Sequence, residues 1–198
     1  KFETTIAFTI LIIIHLWRLV TYYFNGLRDS PYDKEDHLIV PSPKVATYDL
    51  VPVMSTPELT NQVINKLSSD LYSFVLLNIA CPDMVSHTGN IKASVLACEA
   101  ADTCVGTIVK RVLELNGTCV ITGDHGNVEE MLGVDGSIDT EHSTFPVPFI
   151  MISNALSQYP TKLPQGCLAD IAPTILSYLH LQFPNEMTGK NLLADITI

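Results

Sequence analysis

Three short segments of the sequence gather residue types that hold divalent metal ions. In the first, Pro82-Asp83-Met84-Val85-Ser86-His87-Thr88-Gly89-Asn90, the carboxylate of Asp83 and the imidazole of His87 stand four residues apart, so one helical turn points both the same way. In the second, Gly123-Asp124-His125-Gly126-Asn127, adjacent Asp124 and His125 can reach one ion if the backbone turns sharply, and the two glycines permit such a turn. The third, Thr140-Glu141-His142-Ser143-Thr144, supplies His142. These five side chains are enough to serve two ions. Oxygen and nitrogen ligands without thiolate favour Mn²⁺ or Zn²⁺, and Mg²⁺ fits less well because it seldom takes imidazole. Two such ions about 4 Å apart hold a phosphoryl group and lower the pKa of a bound nucleophile. Each motif alone has an ordinary explanation: Asp83 as a helix cap, Asp124 in an Asx turn, each histidine simply hydrogen-bonded. Their combination points to metal. Asp139 and Glu141 flank His142 either as supports for it or as part of a solvated loop, while His15, His37 and His180 have no such context and are assigned to structure.

Elements must deliver these residues to one place. Apolar runs predict strands over 74–79 and 118–122, ending just before the first two motifs, and a strand over 147–152 just after His142. Helical spacing predicts a helix over 91–115, ended by Gly117, and another over 168–179 with Pro173 in its early turns. Ser55-Thr56-Pro57-Glu58 opens a helix that runs to about Leu67, with Thr56 as its cap. Residues 19–24, β-branched and aromatic, read as a strand broken by Asn25-Gly26, and the charged residues 28–36 as a surface loop. Pro41-Ser42-Pro43 keeps Lys44 on an extended segment. The expected fold is α/β with a mostly parallel sheet, in which polar residues beyond the strands' C-terminal ends line the ligand crevice. Repeats, low-complexity segments, GxGxxG and P-loop signatures are absent.

A chain of 198 residues with 47% apolar and 16% charged side chains is expected to fold rather than remain disordered. Its 11 Lys+Arg against 21 Asp+Glu give a net charge of −10, which disfavours nucleic acid and leaves carboxylates for cations. The cysteines, Cys81, Cys98, Cys104, Cys119 and Cys167, are scattered without a CxxC pair and are expected as reduced core residues, a usage that fits the cytoplasm. Residues 6–17 are almost wholly apolar. A membrane span, a signal peptide, a buried strand and an aberrant chain end all fit such a run. It is short for a span and no small-residue cleavage site follows, so a membrane association is not expected.

At these residues the chain resembles the cofactor-independent phosphoglycerate mutases of the alkaline phosphatase superfamily. The resemblance runs in order through residues 20–26, 41–50 (PSPKVATYDL), 78–90 (NIACPDMVSHTGN), 122–129 (TGDHGNVE), 141–149 (EHSTFPVPF), 168–176 (LADIAPTIL) and Met187-Thr188-Gly189. It implies an alkaline-phosphatase-like three-layer sandwich, a monomer, and interconversion of 3-phosphoglycerate and 2-phosphoglycerate through a phosphoserine. It also implies that Asp83, His87 and His142 hold one Mn²⁺, that Asp124 and His125 hold part of another, and that Lys44 contacts the substrate phosphate. There are departures. The family's serine nucleophile, a further Asp ligand and the inserted substrate-binding domain have no counterpart, and Leu27 stands where a second glycine is usual. Residues 1–18 are therefore expected to be a divergent segment before a C-terminal part of the metal-binding domain over 19–198, a fragment without turnover of its own. A phosphatase or sulfatase of the same superfamily, or a non-catalytic metal-binding remnant, are the alternatives.

Overall fold

The computed structural model describes residues 9–14, 19–159 and 162–196. Its first sheet has three strands, β1 (Thr9–Ile14), β2 (Glu35–Val40) and β3 (Phe74–Asn78), in the order β2-β1-β3 and all parallel. Thr9 pairs with Glu35 on one side and Phe74 on the other, and the register continues to Ile14 opposite Val40 and Ile13 opposite Asn78. An apolar, β-branched run suits the strand that is flanked on both sides. Of the apolar run 6–17, residues 9–14 are thus a strand, and the rest, with His15, lies outside the described residues. No helix among the described residues is long and apolar enough to cross a membrane.

Helices α1 (Thr56–Leu67), α2 (Cys81–Ser86) and α3 (Ile91–Glu114) pack together beside this sheet. Leu59 and Val63 of α1, Cys81 and Val85 of α2, Ala93, Ala97, Cys104 and Ile108 of α3, and Val40 of β2 form one core. Small residues along the buried side of α3 let α1 and α2 approach closely. The second sheet pairs β4 (Thr118–Thr122) with β5 (Phe149–Ser153), and α4 (Ile171–Tyr178) is tied to both strands by the Tyr178 hydroxyl, 2.9 Å from Thr118 Oγ1 and 3.3 Å from Ser153 Oγ. Downstream of α4, the backbone N–H of Lys190 donates to the buried Asp170 carboxylate at 2.8 Å, and the N–H of Leu192 to Thr174 Oγ1 at 2.9 Å. These bonds fasten the C-terminal segment.

Several local expectations are corrected. Residues 19–24 form a π-helix, Leu19–Phe24, and not a strand: Val20, Thr21 and Asn25 are buried while Tyr23 and Phe24 are exposed, a helical rather than alternating pattern, and Leu27 N–H donates to Tyr22 O five residues back. The loop over 28–36 ends early, because Glu35 and Asp36 already belong to β2. Ser55, not Thr56, is the N-cap of α1, and Thr56 is buried with its hydroxyl donating to Cys81 Sγ at 3.2 Å. Asn116, with φ 56°, makes the left-handed turn after α3 that Gly117 was expected to make; asparagine tolerates that conformation. The pairing is mostly parallel, as expected: both ladders of the first sheet are parallel, and β5 runs antiparallel to β4 in a separate sheet. The helix over 168–179 opens as a 3-10 turn, Leu168–Asp170, and Cys167 is exposed rather than in the core.

Candidate metal centre

The first motif is shaped by α2, which begins directly after β3 and its short link at Ile79-Ala80. Asp83 and His87 lie one turn apart, with His87 N–H donating to Asp83 O at 3.2 Å, and both side chains face the same way. Because β5 is antiparallel to β4, Phe149 sits opposite Thr122, and the segment leading into β5 returns to the end of β4 where Asp124 and His125 lie. A bridge between Gly126 and Ser143 holds the two segments together, with Ser143 N–H donating to Gly126 O at 2.8 Å. His142 is carried on this second segment.

The result is a compact triangle. His87 Nε2 and His142 Nε2 are 3.1 Å apart, and each is 3.3 Å from Asp83 Oδ1. Donor atoms sharing one ion at about 2.1 Å in tetrahedral or octahedral geometry stand about 3.0–3.4 Å from one another. The Asp83, His87 and His142 atoms therefore have the spacing of a coordination face. His87 Nδ1 lies 2.6 Å from Thr140 O, which can only accept, so Nδ1 carries the proton and Nε2 presents a lone pair to the triangle. Gly89, at φ 72°, makes this possible: a Cβ there would lie 3.0 Å from Ile138 Cγ2 and 3.5 Å from Thr140 Cγ2.

Asp124 and His125 adjoin the triangle. The His125 ring stacks on His142 with centroids 3.6 Å apart and an interplanar angle of 20°, and His125 Nε2 is 3.5 Å from Asp124 Oδ2. Asp124 is the most open of the five side chains, with 73% of its area exposed. Lys44 is exposed on the segment between β2 and the 3-10 turn Tyr48–Leu50. Among the described residues no hydrogen bond or ion pair joins it to the triangle. That segment is nevertheless tethered near the first motif, since Asn90, which caps α3, donates through Nδ2 to Asp49 Oδ2 at 3.1 Å. His37 is paired with Glu35 on β2, and His180 is exposed after α4.

Two side chains took no role in the sequence reasoning. Asn127 Nδ2 donates to Asp83 Oδ1 at 2.6 Å, and Glu129 accepts from Asn127 N–H and from the Ser143 hydroxyl, each at 3.1 Å. Partial burial would raise the Glu129 carboxyl, but these donors outweigh it and hold the group below the usual carboxylate range. Their place within TGDHGNVE marks them as sequence neighbours of Asp124 and His125 but does not reveal their contacts with Asp83 and Ser143.

The family description that fits this geometry is "Metalloenzyme superfamily", whose model matches residues 10–183. The chain belongs to the metalloenzyme superfamily. Within it, the chain is 48% identical over 176 residues to the 2,3-bisphosphoglycerate-independent phosphoglycerate mutase of Clostridioides difficile (strain 630), covering 88% of this chain and 34% of that protein. The enzyme of the same name from Lawsonia intracellularis (strain PHE/MN1-00) is 50% identical over 178 residues, with 89% and 34% covered. A crystal structure of Leishmania mexicana phosphoglycerate mutase, determined at low cobalt concentration, superposes with a TM-score of 0.83 at 27% identity, covering 93% of this chain and 37% of that one. The alkaline-phosphatase-like α/β fold expected from sequence agrees with that superposition. The chain spans about a third of the length of the curated relatives it matches. Superfamily membership and the triangle both call for a metal cofactor.

Proposed function

We propose that this chain forms the metal-binding part of a cofactor-independent phosphoglycerate mutase acting on 3-phosphoglycerate and 2-phosphoglycerate in glycolysis. Asp83, His87 and His142 hold one divalent ion, Mn²⁺ by preference, and Asp124 and His125 contribute to a second. The observation that carries this reading is the Asp83, His87 and His142 triangle, with sides of 3.1, 3.3 and 3.3 Å, in a chain 48% identical over 176 residues to a relative of that name. Divalent ions at these positions supply charge neutralisation for phosphoryl oxygens and activation of a nucleophile.

The chain's own residues have separable tasks. Asp83 brings the negative charge that makes a cation welcome, and His87, locked by Thr140 O, offers a fixed lone pair. His142 closes the face and, through its stack with His125, aligns the two ligand groups. Lys44, on its Pro-bounded extended segment, is suited to a phosphate as a flexible point charge. A cytoplasmic monomer is the expected setting.

The test is metal content measured with activity. The purified 198-residue chain should bind roughly one Mn²⁺ tightly and a second weakly, and should show no mutase turnover by itself. Coexpression with the remaining portion of a homologous mutase should restore turnover. A chain that binds no divalent ion would overturn the reading; phosphate release from generic esters would move it to a phosphatase.

A further inference from the structure

The hydrogen bonds around Asn127 and Glu129 form a continuous path between the two loops that carry the ligands. Asn127 is buried, with 5% of its area exposed, and its amide nitrogen donates to Asp83 Oδ1, the oxygen that belongs to the triangle. The backbone N–H of the same residue donates to Glu129 Oε2, while Glu129 Oε1 accepts from Ser143 Oγ, immediately after His142. Ser143 Oγ in turn accepts from Phe145 N–H at 3.2 Å. Gly126 leaves the room this requires: a Cβ at that position would run into both the Glu129 carboxylate and the Ser143 hydroxyl.

Ion binding is sensitive to this path for a geometric reason. Asp83, His125 and His142 reach the site from separate segments, and a carboxylate rotates freely unless something holds it. Asn127 fixes the rotation of Asp83, and Glu129 fixes the separation of the loops on which the stacked His125 and His142 rings ride.

We propose that Asn127 and Glu129 are positioning residues for the metal centre: Asn127 orients the Asp83 carboxylate, and Glu129 clasps the His125 loop to the His142 loop through Ser143. This rests on the metal reading given above. Neither residue needs to touch the ion.

The test uses the full chain and Mn²⁺ or Co²⁺ alone as probes. Glu129→Ala and Asn127→Ala should each weaken Mn²⁺ affinity about 10–100-fold, as loss of groups supporting a ligand does. The visible absorption of bound Co²⁺ should also change shape, reporting altered ligand geometry, while metal-free melting in chelator shifts little. Glu129→Gln, which keeps one acceptor for the Ser143 hydroxyl but turns an N–H toward that of Asn127, should fall between the parent and Glu129→Ala, and it serves if the alanine variant fails to fold. Unchanged affinity and unchanged Co²⁺ spectrum in these variants would overturn the proposal and leave the metal site standing. A parent chain that binds neither ion would overturn both.

Discussion

His87 is useful to a metal because its other nitrogen is already occupied. With Nδ1 held by Thr140 O, the lone pair of Nε2 is committed to the triangle before any ion arrives. Beneath it, Cys81 anchors the start of α2: its thiol is fully buried, accepts from the Thr56 hydroxyl and lies 3.5 Å from Ala97 O. Burial pushes this thiol up from an ordinary 9.0 to about 11, with neighbouring cysteines adding to the effect. The folded state therefore keeps a proton that the unfolded chain releases sooner. Stability from this group is complete below pH 9, and about 2 to 3 kcal/mol of it is lost as pH rises toward 11. Unfolding free energy followed from pH 8 to 11 should show this loss, and Cys81→Ala should reduce it without removing it, because burial also raises the thiols of Cys98, Cys104 and Cys119. A thiol reagent applied at pH 8 should modify exposed Cys167 at once and reach Cys81 only on unfolding.

At the scale of elements, what the sequence made legible followed from periodicity. The helices α1 and α3 and the strands β3 and β4 lie within a residue or two of their expected positions, because long amphipathic or apolar runs bounded by Pro, Gly and Asn leave little choice. The candidate ligands stood out for a different reason: Asp and His in glycine-bounded motifs after strands are unusual, and Asp83, His87 and His142 come together in the fold. Their supports did not stand out, since Asn127 and Glu129 act through contacts with Asp83 and Ser143 that no local pattern reveals. The π-helix Leu19–Phe24 was misread because β-branched and aromatic residues favour strands, whereas a tertiary setting against β1 and β3 decided the matter. Leu27, just beyond it, is held at φ 64° with 62% of its area exposed, which explains why a glycine suits this position. Left-handed backbone costs a leucine about 1–2 kcal/mol, and glycine's greater freedom when unfolded takes back about 0.5–1. Leu27→Gly should therefore stabilise the chain by about 0.5–1 kcal/mol, seen as a higher urea midpoint at unchanged slope. A lower midpoint would mean that the Leu27 side chain contributes packing worth more than the backbone strain.

For the whole molecule, the proposed metal centre joins parts that the apolar core leaves separate. The buried core connects the first sheet with α1, α2 and α3, whereas His142 and Asp124 belong to segments at the end of the second sheet. An ion held by Asp83 and His87 on one side and His142 on the other would crosslink these halves in the folded state only. Binding then stabilises by mass action: at a free ion concentration 100 times the dissociation constant the gain is about 2.7 kcal/mol. For a domain of this size each kcal/mol corresponds to about 2–4 °C. Saturating Mn²⁺ should thus raise the melting temperature by about 5–11 °C over the chelator-treated chain. His142→Ala should abolish most of that rise while scarcely moving the metal-free melt, because its side chain is half exposed and lies outside the core. A rise that survives His142→Ala would place the stabilising ion elsewhere, and a metal-free melt that falls sharply would make His142 a structural residue whose stacking on His125 matters more than its lone pair.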